Sequence, residues 1–440
     1  MFQKILIIVA FMMSSVISVG QWIESGVNNN NPWEVVFGVS VPQSNVIWGI
    51  IEHQNWSPLM TKYIRSVDGG VTWTSGDIDT LSTFACIKIR ALSDSIAFAS
   101  TLTWPLEDSS RIYRTEDGGT TWQFIPSAVN GLNETCIDFH FFDQNNGMTY
   151  GAKINGPMTI YTTNNGGVNW TSVPANNLPT ALTNEGMLIT GGNGTHGAAG
   201  SELWFGTTKG RIFHTNDNGY TWNATILDTL ATIHGVAFKD NLNGVAISSY
   251  TALANNLTSN RTWITSDGGV TWTEQTGIIN SPKFGMLQYL PGSENTYIST
   301  YAGPGPLGTL ITQDGGLTWN VLDNKIIYGA DFISEFEGWG GGRMVANDKG
   351  LYKWTGTELS VQDYRNNELI TSPTLASTHI TLNTDNMNIE SVMVYNMNGQ
   401  GMKLPMDGNT IDISRLGTGT YLVVLKDNDK TLKRGLFVKL

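Results

Sequence analysis

Ser66-Val67-Asp68-Gly69-Gly70-Val71-Thr72-Trp73 is the stretch whose reading decides the fold, because the chain writes it again and again. A second copy is Thr115-Glu116-Asp117-Gly118-Gly119-Thr120-Thr121-Trp122, and further copies end at Trp170, Trp222, Trp272 and Trp319. Successive tryptophans stand 49, 48, 52, 50 and 47 residues apart. A period of 20–50 residues marks a repeat architecture, in which each unit buries its hydrophobic face against the next.

Each residue of the phrase has a local job. The aspartates Asp68, Asp117, Asp217, Asp267 and Asp314 can accept hydrogen bonds from backbone N–H groups just downstream, closing a tight turn. The glycine supplies a positive φ without a Cβ clash. The tryptophan (Trp73, Trp122, Trp170, Trp222, Trp272, Trp319) opens the next strand with a large ring to bury. In the third copy Asn165 replaces the aspartate and Asn169 the threonine, substitutions that still permit the turn.

Alternating runs such as Arg111-Ile112-Tyr113-Arg114 and Arg211-Ile212-Phe213-His214 precede the phrase and read as strands. About 34–37 residues before each phrase tryptophan another element recurs: Cys86-Ile87-Lys88-Ile89-Arg90, Cys136-Ile137-Asp138-Phe139-His140, Gly186-Met187-Leu188, Gly235-Val236-Ala237-Phe238-Lys239 and Gly285-Met286-Leu287. Gly329-Ala330-Asp331-Phe332-Ile333 is a further copy after the last phrase. These are expected to be the innermost strands of radially arranged sheets. The last unit lacks an outer strand, and Gln21-Trp22-Ile23-Glu24 at the other end of the chain has the pattern to supply it, closing the ring and removing sheet edges. The expectation is an all-β chain: a seven-bladed β-propeller over residues 21–356, or a six-bladed one if 328–356 is a cap.

The phrase resembles the Asp-box, or BNR repeat, of sialidases, xyloglucan-cleaving endoglucanases, sortilin-type receptors and photosystem II assembly factor-type propellers. In that family the box is a structural turn away from the active site, so the resemblance gives its residues no catalytic role here. A sialidase needs an arginine triad and an Arg-Ile-Pro phrase near the N-terminus, yet residues 21–60 contain no arginine. Xyloglucan-cleaving members are typically paired propellers, and only one fits this chain.

Residues 1–20 combine a basic start, an apolar run from Ile5 to Met13 and small residues at Ser18-Val19-Gly20, the pattern of a cleaved secretory signal. No later stretch is apolar enough to span a membrane. A net charge of −12 argues against nucleic acid, because phosphate binding needs concentrated Lys and Arg. The 49 glycines and 15 tryptophans suit many short strands joined by tight turns.

Polar residues 357–371 read as a linker, and residues 372–440 as a small β-sandwich. Its landmarks are Val394-Tyr395-Asn396-Met397-Asn398-Gly399, Ile411-Asp412-Ile413-Ser414-Arg415-Leu416, Gly419-Thr420-Tyr421 and Lys433-Arg434-Gly435-Leu436-Phe437-Val438-Lys439. This order resembles the C-terminal sorting domain of the type IX secretion system of Bacteroidota, with Ser372-Pro373 where the family opens on Asn-Pro. The resemblance implies partnership with that secretion machinery and a secreted or outer-surface destination.

Propeller ligands sit at the central channel, so the inner strands hold the candidate site residues. Aligned on their Cys or Gly, these strands place Lys88, Asp138 and Asp331 at one level and Arg90, His140 and Lys239 two residues on. Asp138 and Asp331 could face each other as the two carboxylates of a glycoside hydrolase, or stand in structural ion pairs with neighbours such as Lys88. Cys86 and Cys136 hold the same position in neighbouring units; they can bridge only if their Cα atoms lie within about 7 Å, and otherwise simply meet a demand for a small residue. No His/Asp/Glu grouping has metal-ligand spacing, and no cofactor is implied. Two functions stay open: a binding scaffold for an extracellular glycan or protein, and a glycoside hydrolase acting on extracellular polysaccharide.

Overall fold

The computed structural model describes residues 22–25, 34–356 and 371–440, apart from 54–58, 80–83, 104–108, 127–133, 154–157, 188–195, 253–256, positions within 277–284, 302–307, 343–349, 373–374, 383–388, 397–399 and 428–430. The expected signal segment 1–20 and nearly all of the expected linker lie outside the described residues. The chain divides into a compact unit Trp22–Gly356 and a second unit that contains Thr357–Leu440.

Between Trp22 and Trp354 the described strands form seven four-stranded antiparallel sheets. The first runs through Glu34–Gln43, Val46–His53, Lys62–Ser66 and Thr74–Asp77, and five more follow it in chain order. The seventh takes Ile327–Ser334, Glu337–Gly342 and Leu351–Trp354 from the end of the unit and Trp22–Glu24 from its beginning, Trp22 lying opposite Trp354. First strands pack in cyclic order: Glu34–Gln43 touches both Phe84–Ala91 and Ile327–Ser334, and Thr232–Phe238 touches both His196–Ala199 and Met286–Tyr289. The core is accordingly a series of layers between neighbouring sheets. Val36, Ile47, Ile64, Trp339 and Leu351 make the layer between the seventh sheet and the first.

The repeated phrase joins these sheets. In the second copy Thr121 N–H and Oγ1–H donate to the two oxygens of Asp117 at 2.9 and 2.6 Å, and Gly119 N–H donates to Thr115 Oγ1 at 2.9 Å. The third copy makes the same turn, Asn169 N–H donating to Asn165 Oδ1 at 3.0 Å. The second glycine is required twice over. Gly119 has φ +93°, and a Cβ there would lie 2.4 Å from the Tyr63 ring of the preceding sheet. Gly70 meets Trp339 in the same way, and Gly167 meets Phe98. Each turn is thus pressed onto the sheet before it.

Hydrogen bonds from Thr72 lower the Asp68 carboxyl to about 2, and those from Thr121 and Thr271 lower Asp117 and Asp267. Partial burial pushes Asp217 and Asp314 up, but the donors Thr221 and Thr318 more than offset it. A carboxyl depressed in the folded state contributes stability above its unfolded value, and that stability is lost as pH falls through the folded one. The turns should therefore weaken between about pH 4 and pH 2. Thermal melting of the full chain across that range checks this. A variant with asparagine at all five aspartate positions, copying Asn165, should lose less of its melting temperature on acidification; an equal loss would contradict the assignment.

In the second unit, nine strands among the described residues form a four-stranded and a five-stranded sheet. Ile380 and Ile411 from one sheet and Val392, Val423, Leu425 and Phe437 from the other bury a shared core. Strand alternation places these residues on one face, as period-2 patterning requires.

Candidate functional site

The first strands carry a bulge that sets which side chains share a level. An extra residue is inserted between Cys86 and Lys88, between Cys136 and Asp138, and between Ile327 and Gly329. A bulge puts two residues opposite one and shifts everything beyond it. Counted from the bulge, Asp331 stands level with Arg90 and His140. The expected alignment of Asp331 with Lys88 and Asp138 is therefore wrong by two residues. Lys239 is also misplaced: it lies beyond the strand Thr232–Phe238, and its Nζ donates to Asn295 Oδ1 at 3.3 Å.

The fourth sheet brings a larger correction. Its first strand is His196–Ala199, whereas Gly186 and Met187 belong to the preceding connection. His196 opens that strand and reaches the centre of the cluster, a position the spacing had not assigned. The hairpin Ala198-Ala199-Gly200-Ser201-Glu202-Leu203 was the signal that could have located it, since Ala198 pairs with Leu203.

Asp138 is the hub. Lys88 Nζ lies 3.4 Å from its Oδ2, and both side chains are only 2% exposed. His196 Nδ1 lies 3.3 Å from the same oxygen and 3.0 Å from the Tyr150 hydroxyl. Pairing with a carboxylate assigns the His196 proton to Nδ1 and leaves Nε2 to accept from His140 Nδ1 at 3.3 Å. Asp138 Oδ1 accepts the Phe139 N–H at 2.8 Å. Burial alone would raise this carboxyl, but Lys88 and His196 hold it well below the usual range. Burial drives His140 well below the ordinary imidazole value, and His196 and Arg90 add to that.

Asp331 sits differently. Its Oδ2 accepts the Val41 N–H at 2.8 Å and lies 3.9 Å from Arg90 Nη1. Burial raises its carboxyl, with Arg90 opposing. Asp138 is thus sealed under Lys88 and His196, and Asp331 is tied to the first sheet. Arg90 bears electrostatically on Asp138, His140 and Asp331 alike. Its side chain is 18% exposed and its Nε is without a hydrogen-bond partner among the described residues. Arg90 is thus the partly exposed cation of the cluster.

The two cysteines are free thiols. Cys86 is buried in the layer of Trp48 and Tyr63, while Cys136 lies in the layer of Phe98 and Trp170 with its Sγ 2.9 Å from Thr149 Oγ1. Equivalent positions in neighbouring sheets thus serve different cores, and a bridge between them does not form. Burial pushes the Cys136 thiol up to about 12, well outside the range of a reactive thiolate. Beneath Cys86 sits Glu52, fully buried and raised to about 9 by its burial, whose Oε1 accepts the Cys86 N–H at 2.6 Å.

Residues 82–263 match the family model of the photosynthesis system II assembly factor YCF48, and residues 372–439 match that of the secretion system C-terminal sorting domain. No curated protein matches the chain. Among solved structures, one of YCF48 bound to D1 peptide is 17% identical, with a TM-score of 0.51, covering 76% of this chain and all of that one. A YCF48 from Cyanidioschyzon merolae is 14% identical with a TM-score of 0.50, covering 76% of this chain and 98% of that one. At such identities the likeness is one of fold.

Proposed function

We propose that this chain, a β-propeller of the BNR type with a type IX secretion C-terminal sorting domain, is a binding scaffold that engages an extracellular protein segment. The sorting domain marks the protein for secretion and attachment to the outer cell surface. In this reading the seven sheets are seven blades, the 372–440 unit is a β-sandwich read by the secretion machinery, and the first-strand cluster lies at the channel mouth.

The observation that carries the binding role is the pairing of the cluster. Glycoside hydrolysis needs two carboxyl groups free to exchange a proton or attack a sugar. Asp138 is held ionised by Lys88 and His196, and Asp331 is bound to the Val41 N–H, so the hydrolase reading has no support. A partly exposed guanidinium is instead suited to peptide carbonyl or carboxylate oxygens. A propeller of the same fold that holds a peptide supports a protein segment over a glycan.

The test is to screen the full chain against arrays of overlapping outer-surface protein peptides and of glycans. Saturable peptide binding should weaken about tenfold or more in Arg90→Gln, the effect of losing a charge-assisted hydrogen bond, in a variant that stays folded by circular dichroism. Peptide binding indifferent to Arg90→Gln would remove the site, and binding to glycans alone would replace the partner class.

A further inference from the structure

Arg90 and His140 stand level on neighbouring first strands, Phe84–Ala91 and Glu134–Phe141, and those strands are in contact. Both residues are half-buried, whereas Lys88 and Asp138, two positions earlier on each strand, are sealed. The cluster therefore turns a guanidinium and an imidazole toward solvent side by side, near enough for the Arg90 charge to act on His140.

The two groups have opposite hydrogen-bonding polarity. Every nitrogen of Arg90 is a donor, and its ion-pair contact with Asp331, Nη1 to Oδ2 at 3.9 Å, is beyond hydrogen-bond reach. His140 spends its Nδ1–H on His196 Nε2, which leaves its own Nε2 as a bare acceptor. Among the described residues that nitrogen has no hydrogen-bond partner. Unlike Arg90 Nε, it is not one of the buried unpartnered atoms, so solvent meets it. Burial, with His196 and Arg90 adding to it, holds His140 well below the ordinary imidazole value, and the acceptor stays an acceptor at neutral pH.

Charge balance narrows the ligand further. Lys88 and Arg90 already stand against Asp138 and Asp331, with Arg90 acting on both carboxylates. A ligand carboxylate would add negative charge to this compensated cluster and turn an oxygen lone pair toward that of His140, a repulsive element that selects against it. A primary carboxamide carries a carbonyl acceptor and an N–H donor on one edge, the complement of the pair. The carbonyl and N–H of a trans backbone amide point opposite ways and cannot serve both groups at once.

We propose that Arg90 and His140 form a carboxamide subsite, the guanidinium donating to the carbonyl oxygen and His140 Nε2 accepting the N–H of an Asn or Gln side chain in the bound segment. This rests on the binding role proposed above and names the side chain that the segment brings. A guanidinium alone would favour Asp and Glu; the neutral imidazole beside it reverses that preference.

The probe is a bead library of dodecapeptides randomised among Ala, Ser, Leu, Asn, Asp, Gln and Glu. The peptides end as N-methylamides, so that side chains supply every primary carboxamide. Beads that capture the full chain are sequenced, and the affinities of their peptides are measured by fluorescence anisotropy. The expected result is one position enriched in Asn or Gln and depleted of Asp and Glu. Exchanging that carboxamide for the matching carboxylate should weaken binding about tenfold, a comparison that needs no protein variant. His140→Asn keeps a donor near the Nδ1 position and removes the Nε2 acceptor. Folded by circular dichroism, it should bring the two peptide forms within about threefold of each other, while Arg90→Gln should weaken both. Saturable binding in which the carboxylate form serves as well as the carboxamide would overturn the subsite and leave the binding role standing. Discrimination unchanged in His140→Asn would do the same. No saturable binding of any library peptide would overturn both readings.

Discussion

Lys88→Met should destabilise the first unit by about 3–5 kcal/mol, the usual cost of stranding one member of a buried ion pair. Lys88 and Asp138 are both 2% exposed and 3.4 Å apart. Removing the ammonium leaves a buried carboxylate with the His196 imidazole beside it and Arg90 further off. The double variant Lys88→Met/Asp138→Leu should recover most of the loss, because a buried pair can be replaced by apolar groups of similar volume at little cost. Urea unfolding of the full chain, monitored by tryptophan fluorescence, measures both. A single variant costing under about 1 kcal/mol would mean that the pair behaves as a solvated one.

Trp22→Ala should cost a similar amount, about 3–5 kcal/mol, from the loss of a buried aromatic side chain. Trp22 is 3% exposed and packs on Trp354 and Phe332 at 5.1 and 5.6 Å between ring centroids. Its Nε1–H donates to Thr309 Oγ1 of the sixth sheet at 3.2 Å. The residue therefore ties the two ends of the first unit together and fastens the closing sheet to its neighbour. The adjacent Ile23→Ala, 48% exposed, should stay within about 0.5 kcal/mol of wild type. Equal effects in the two variants would show that closure does not depend on this strand.

The repeated turns and the closing strand were legible because their signals are local. The Asp68, Gly70 and Trp73 positions each state a backbone requirement, and the recurrence of the same residue types every 50 or so positions leaves little else to fit. Trp22 was legible because a unit lacking an outer strand needs one from somewhere. The site was read less well. The bulge before Lys88 and Asp138 adds a residue without marking it by Gly or Pro, so alignment on Cys and Gly set Asp331 two residues out of level. His196 escaped because the 173–195 connection breaks the spacing that located the other first strands. The Cys86–Cys136 bridge failed for a related reason: equal positions along two strands do not imply one shared core.

The most direct test of the binding role is to incubate the full chain with a panel of extracellular polysaccharides and surface-protein peptides, recording bound material and released reducing ends together. The account predicts saturable binding to a protein segment, weakened by Arg90→Gln, with no sugar released from any polymer. Release of reducing ends that is abolished by both Asp138→Asn and Asp331→Asn would contradict it, and would make those carboxylates a catalytic pair despite their ion-pair partners.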